Sequence, residues 1–142
     1  GLDEHAWSNM PEWKRNAWSG YAFEQVCILH INQIKHALGI SGIACNVCSW
    51  TYKNANQGAQ IDLVIDRGDK SIDLCEMKYS IGPYELKKDY VEWMRERRNL
   101  FRDVTGTNKT LRLTLVAAGG VKQNEYSSSI QGKVVLSDLF LS

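Results

Sequence analysis

The chain has 142 residues, 44% hydrophobic and 23% charged, with a formal net charge of +1 at neutral pH. That length and apolar content suit one folded domain with a proper core, and with only two prolines they exclude a disordered or collagen-like chain. No apolar run approaches the ~18 residues of a membrane span, and the near-zero charge is unlike the plainly basic balance of a dedicated high-affinity DNA binder.

The opening Gly1-Leu2-Asp3-Glu4 carries neither an initiator Met nor a signal-peptide pattern, and reads as a cut inside a longer protein. Residues 1–15, with Trp7, Met10, Pro11 and Trp13, are read as an N-terminal lead, the remnant of that longer chain; residues 16–142 form the domain. From Asn16 or Ser19, either a fair N-cap, a helix is expected to about Leu38. Phe23, Cys27, His30 or Ile31, Ile34 and Leu38 form its apolar stripe, and Gly39 ends it in the left-handed position. Glu24 lies on the flank of that stripe and can face inward, which calls for a partner. Residues 43–52 read as a strand and 53–58 as a polar turn. Cys45 and Cys48 have the spacing of half a zinc site, but no second half exists, so both are read as small buried residues. With Cys27 and Cys75 they fit the reduced thiols of a cytoplasmic protein.

The chemistry gathers between Gly58 and Ser80. Ile61, Leu63 and Ile65 alternate with Asp62, Val64 and Asp66, the period of a strand. Arg67 to Ser71 supplies a turn in which Gly68 is free to take positive φ. A second strand follows from Ile72 to Tyr79, and the two-residue spacing of Glu76 and Lys78 sends both side chains to one face. Paired as a hairpin, the strands bring Asp62 level with Glu76 and Lys78. Two carboxylates beside one ammonium suit a hard divalent cation and an activated water.

A second helix is expected from Pro83–Tyr84 to about Val104, burying Leu86, Tyr90, Trp93, Met94, Arg97 and Phe101. Its mixed charges read as a solvated face laced with i,i+4 pairs. Lys87, Lys88 and Tyr90, close to the Lys78 end of the hairpin, are candidates to meet a phosphate backbone. Strands at 111–118 and 133–136 follow, separated by Gly119-Gly120 and a polar stretch. A helical turn at 137–140 tucks in Leu139 and Phe140.

Asp62, then Glu76-Met77-Lys78 on the next strand, with Glu24 on the helix before them, resembles the PD-(D/E)XK nuclease superfamily. The wording Gly58-Ala59-Gln60-Ile61-Asp62-Leu63 and Cys75-Glu76-Met77-Lys78 is similar to the nuclease-like domain at the C-terminal end of certain bacterial AAA-type ATPases. One departure is Ile61, where the superfamily's pattern has proline. The resemblance spans roughly residues 18–140 and implies an α/β, restriction-endonuclease-like core: a central mixed β-sheet flanked by helices in the order α-β-β-β-α-β-β. It implies Mg²⁺ or Mn²⁺ held by Asp62, Glu76 and the Met77 carbonyl, with Asp62, Glu76, Lys78 and Glu24 catalytic. It also implies metal-dependent phosphodiester hydrolysis of nucleic acid, DNA rather than RNA, as part of a larger chain with an N-terminal ATPase domain. The alternative is a catalytically silent nuclease-like module that binds nucleic acid or docks to the ATPase. A third reading, a protein-interaction domain, rests on Trp7, Trp13 and Trp18. Oligomeric state is not readable from the sequence.

Overall fold

The structure is a computed structural model and describes residues 24–140. The lead, the caps at Asn16 and Ser19, Phe23, the tryptophans at 7, 13 and 18, and the side chain of Phe140 lie outside that description. Five strands form one sheet: β1 (Cys45–Lys53), β2 (Gly58–Arg67), β3 (Ser71–Lys78), β4 (Thr110–Ala117) and β5 (Gly132–Val135). They lie in the order β1-β2-β3-β4-β5. The first two pairings are antiparallel and the last two parallel, so the sheet is mixed. Helical residues 24–29 and α1 (Ile31–Ala37) precede it, and α2 (Lys88–Thr105) joins β3 to β4. Among the described residues no helix is long and apolar enough to cross a membrane.

The two faces of the sheet are covered by different helices, as the parallel β3–β4–β5 half requires. On one face Leu63, Ile65, Cys75, Met77 and Val116 pack against Cys27 and Ile34 of the N-terminal helical segment. On the other, Leu113 and Leu115 meet Val91 and Met94 of α2, while Ile61, Val64 and Leu74 meet its Phe101. Alternation along β4 is clean at its start and ends in a fully buried run, Thr114 to Ala117, covered on both sides.

Several boundaries differ from the sequence reading for identifiable reasons. The first helix is interrupted by a turn at His30, although its N–H still reaches the Val26 carbonyl at 3.1 Å. Its end is as expected: Gly39 has φ 75°, its N–H reaches His36 O at 3.0 Å, and Ile40 N–H reaches Lys35 O at 2.9 Å. That is the two-bond Schellman closure. The second helix starts at Lys88 rather than Pro83–Tyr84, because Tyr84 is held extended against Val121. Tyr84 N–H donates to Gly120 O and its carbonyl accepts from Lys122 N–H, both at 2.8 Å. The helix is not laced either: among the described residues Lys88–Glu92, at 4.0 Å, is the one i,i+4 ion pair.

In the β2–β3 turn the positive φ belongs to Lys70 (69°), not to Gly68. Gly68 serves a close approach instead, since its N–H reaches Ala44 O at 2.9 Å and a Cβ there would stand 3.3 Å from that oxygen. Cys48 is exposed on the outer strand β1, not buried, and Cys45 is half-buried with its thiol on the Ile43 carbonyl at 3.3 Å. Asp73, unassigned from sequence, is fully buried and ties three strands together. It accepts from Arg67 Nη1 of β2 and from Arg112 Nε and Thr114 Oγ1 of β4, each at 3.0 Å.

Candidate active site

The site forms where β2 enters the sheet and β3 leaves it. Pairing runs Leu63↔Cys75, Val64↔Leu74 and onward to Asp66↔Ile72. Continued by one step, this register sets Asp62 opposite Glu76, and Met77 N–H donates to Asp62 Oδ2 at 3.1 Å. The strict alternation read from the sequence stops here. Against β1, Val64 pairs with Cys48 but Ile61 pairs with Trp50, so Asp62 and Leu63 together oppose Ser49. This is a β-bulge, a device that re-aims a side chain. It turns Ile61 to the α2 side beside Val64, leaves Leu63 in the opposite core, and delivers Asp62 between them to the end of β3.

Glu76 and Lys78 share a face, as their spacing predicts. Glu76 is 8% exposed and lies beneath Met94, Arg97 and Arg98 of α2. Lys78 is half-buried, its Nζ 4.9 Å from the centre of the Tyr90 ring. The end of β3 is pinned where it matters, since Ala118 N–H donates to the Lys78 carbonyl at 3.0 Å.

Electrostatics mark the same place. Burial, then Asp62 through its charge and a hydrogen bond, pushes the Glu76 carboxyl up to about 9; Arg97 and Lys78 oppose that shift. Two close carboxylates do not ionise together without a compensating charge. Glu24, half-buried, is also raised, by burial and by Asp62, so the upstream acid does reach this end of the sheet. Cys27 beneath them is pushed up to about 12 by burial, Glu24 and Asp62, which keeps it a neutral thiol.

Lys87 and Lys88 are exposed at the start of α2. Tyr90 parts from them: it is half-buried, its enclosed hydroxyl has no hydrogen-bond partner among the described residues, and its ionisation is pushed upward by burial and then by Glu76. It faces the carboxylates and carries Lys78. The sequence reading placed Trp93 and Arg97 in the buried side of α2 without a role. In the structure Tyr90 and Trp93 stack with centroids 5.4 Å apart, and the Arg97 guanidinium lies 4.2 Å over Trp93. Their 90/93/97 spacing gave a signal of one helix face; that this face lies over Glu76 depends on packing remote in sequence.

Among the described residues, no group of three or more His, Cys, Asp or Glu side chains is set to hold a metal ion. Asp62 and Glu76 are an oxygen-only pair, and the enclosed Tyr90 hydroxyl near them has no hydrogen-bond partner among the described residues. Hard oxygen donors, a proton held where positive charge is wanted and an unsatisfied polar atom fit a divalent cation with bound water. Glu24 stands near Asp62 without completing a compact ligand set. No protein-family model matches the chain, and neither the curated proteins nor the solved structures give a match.

Proposed function

We propose that the chain is a metal-dependent phosphodiesterase of the PD-(D/E)XK kind, cutting nucleic acid, DNA rather than RNA, as a domain attached to a larger ATPase. The observation that carries this reading is the meeting of Asp62 and Glu76 with Lys78 on the same face, where burial and then Asp62 push the Glu76 carboxyl up to about 9. The helix, three strands, helix, strand, strand order supports the restriction-endonuclease-like core. Asp62, Glu76 and the Met77 carbonyl are the residues to hold Mg²⁺ or Mn²⁺. Such a cation, when bound, lowers the pKa of a coordinated water and polarises the phosphoryl oxygens. Lys78, resting on Tyr90, is the group to orient that water or offset charge gathering on the phosphoryl oxygens. Glu24 reinforces the negative field from the helical side. Lys87 and Lys88, exposed at the start of α2, are the candidates to meet the strand's phosphates.

The test is cleavage of labelled single- and double-stranded DNA with Mg²⁺, Mn²⁺ or EDTA, wild type beside Asp62→Ala and Lys78→Ala. Metal-dependent cutting that drops at least a hundredfold in both variants supports the reading; general acid–base and electrostatic contributions are worth about that much. Binding without cutting by a folded protein would instead favour the silent module.

A further inference from the structure

A groove runs along the outer side of the site, between the start of β2 and α2. Gln57, Gly58 and Ala59 line it from β2 and the turn before it, and Trp93, Glu96, Arg97 and Leu100 from α2; its volume is about 160 Å³. Arg97 also lines the small cleft that Glu76 shares with Arg98, so one side chain reaches from the groove to the carboxylates. Its guanidinium lies flat on Trp93, which is itself stacked on Tyr90. Stacking occupies the face of a guanidinium and leaves its in-plane N–H donors available. Among the described residues no carboxylate pairs with Arg97, and its buried Nε has no hydrogen-bond partner. A buried guanidinium Nε without a partner is costly unless a ligand completes it. The ligand that matches a planar fork of donors is a bidentate oxyanion.

The small cleft beside Arg97 adds Arg98, so two guanidiniums share it with Glu76, while Glu96 lines the groove itself. A polyanionic strand that reaches both gains more than a lone anion does, because each phosphate neutralised releases condensed counterions.

We infer that Arg97 binds a backbone phosphate adjacent to the scissile one, with the groove between β2 and α2 as the track of that strand. This rests on the nuclease reading for the position of the scissile phosphate. It assigns a binding role to a residue outside the acidic pair and its lysine.

The experiment uses fluorescence anisotropy of an end-labelled single-stranded oligonucleotide with Ca²⁺ in place of Mg²⁺, across a salt series, with cleavage in Mn²⁺ measured in parallel. Arg97→Met keeps the packing on Trp93 and removes the charge; Arg97→Lys keeps the charge and loses the fork. Arg97→Met is expected to weaken binding about tenfold and to lower the slope of log affinity against log salt by about 0.7, the loss of one single-strand phosphate contact. Arg97→Lys should restore the slope but only part of the affinity. Wild-type affinity and slope in Arg97→Met would overturn the assignment even if the protein cuts DNA. Arg97-dependent binding by a wild type that never cuts would instead remove the nuclease reading and leave the phosphate contact standing. Should Arg97→Met unfold, the affinity deficit of Arg97→Lys at unchanged slope carries the test alone.

Discussion

At Glu76 burial and a neighbouring carboxylate act in the same direction, and the folded protein holds a proton there up to about pH 9. A carboxyl raised on folding stabilises fully below its unfolded value, near 4.3, and that contribution is lost as pH rises through the folded value. In EDTA, wild type should therefore lose stability between pH 5 and 9 relative to Glu76→Gln, whose amide does not titrate. The gap can grow by up to about 1.4 kcal/mol per pH unit. Thermal unfolding of both proteins across that range checks it, and parallel curves would show that Glu76 ionises freely. Mn²⁺ added at pH 8 should recover wild type and leave Glu76→Gln where it was. Asp62, Glu76 and Lys78 were legible in the sequence because acid, then acid-x-Lys, is a local pattern on adjacent strands. Arg97 was not, because nothing near it in the chain says that its helix lies over Glu76.

Elements aim these residues, and two of them do so in ways that a pattern hides. Ile61-Asp62-Leu63-Val64-Ile65 alternates as an ordinary strand would, yet Asp62 and Leu63 share a single partner position on β1. A bulge leaves the composition of its strand unchanged, so only the register against a neighbour reveals it. Helix α2 is the second case: one face presents Tyr90, Trp93 and Arg97, an aromatic pair carrying a cation at each end, Lys78 and Arg97. Among the described residues the same face leaves the Tyr90 hydroxyl without a hydrogen-bond partner. Leaving a buried hydroxyl unsatisfied costs about 1–3 kcal/mol. Tyr90→Phe keeps the ring beneath Lys78 and should raise metal-free stability by about 1 kcal/mol. With saturating Mn²⁺ the gain should vanish or reverse, because water around the ion gives the hydroxyl a partner. Unfolding curves with and without Mn²⁺ read this directly, and an equal gain in both would detach Tyr90 from the site.

Across the whole molecule, the candidate site and a structural charge cluster sit at opposite ends of β3. Lys78 closes the strand at the site, while Asp73, five residues earlier, is buried with Arg67, Arg112 and Thr114 around it. At about 3.3 Å per residue, some 16 Å separate the two. No local pattern announces this second cluster, since Arg67 and Arg112 stand 45 residues apart on strands whose adjacency to β3 is a matter of topology. Removing the shared carboxylate leaves Arg112 without its ion-pair partner and Arg67 with Asp69 alone, so Asp73→Asn should cost about 3 kcal/mol in denaturant unfolding. Substitutions this far apart with no common partner add to within about 0.5 kcal/mol. Asp73→Asn combined with Lys78→Ala should therefore destabilise by the sum of the two, and Asp73→Asn alone should bind Mn²⁺ like wild type while folded. A coupling well above that margin would mean that the charge cluster and the site communicate along β3.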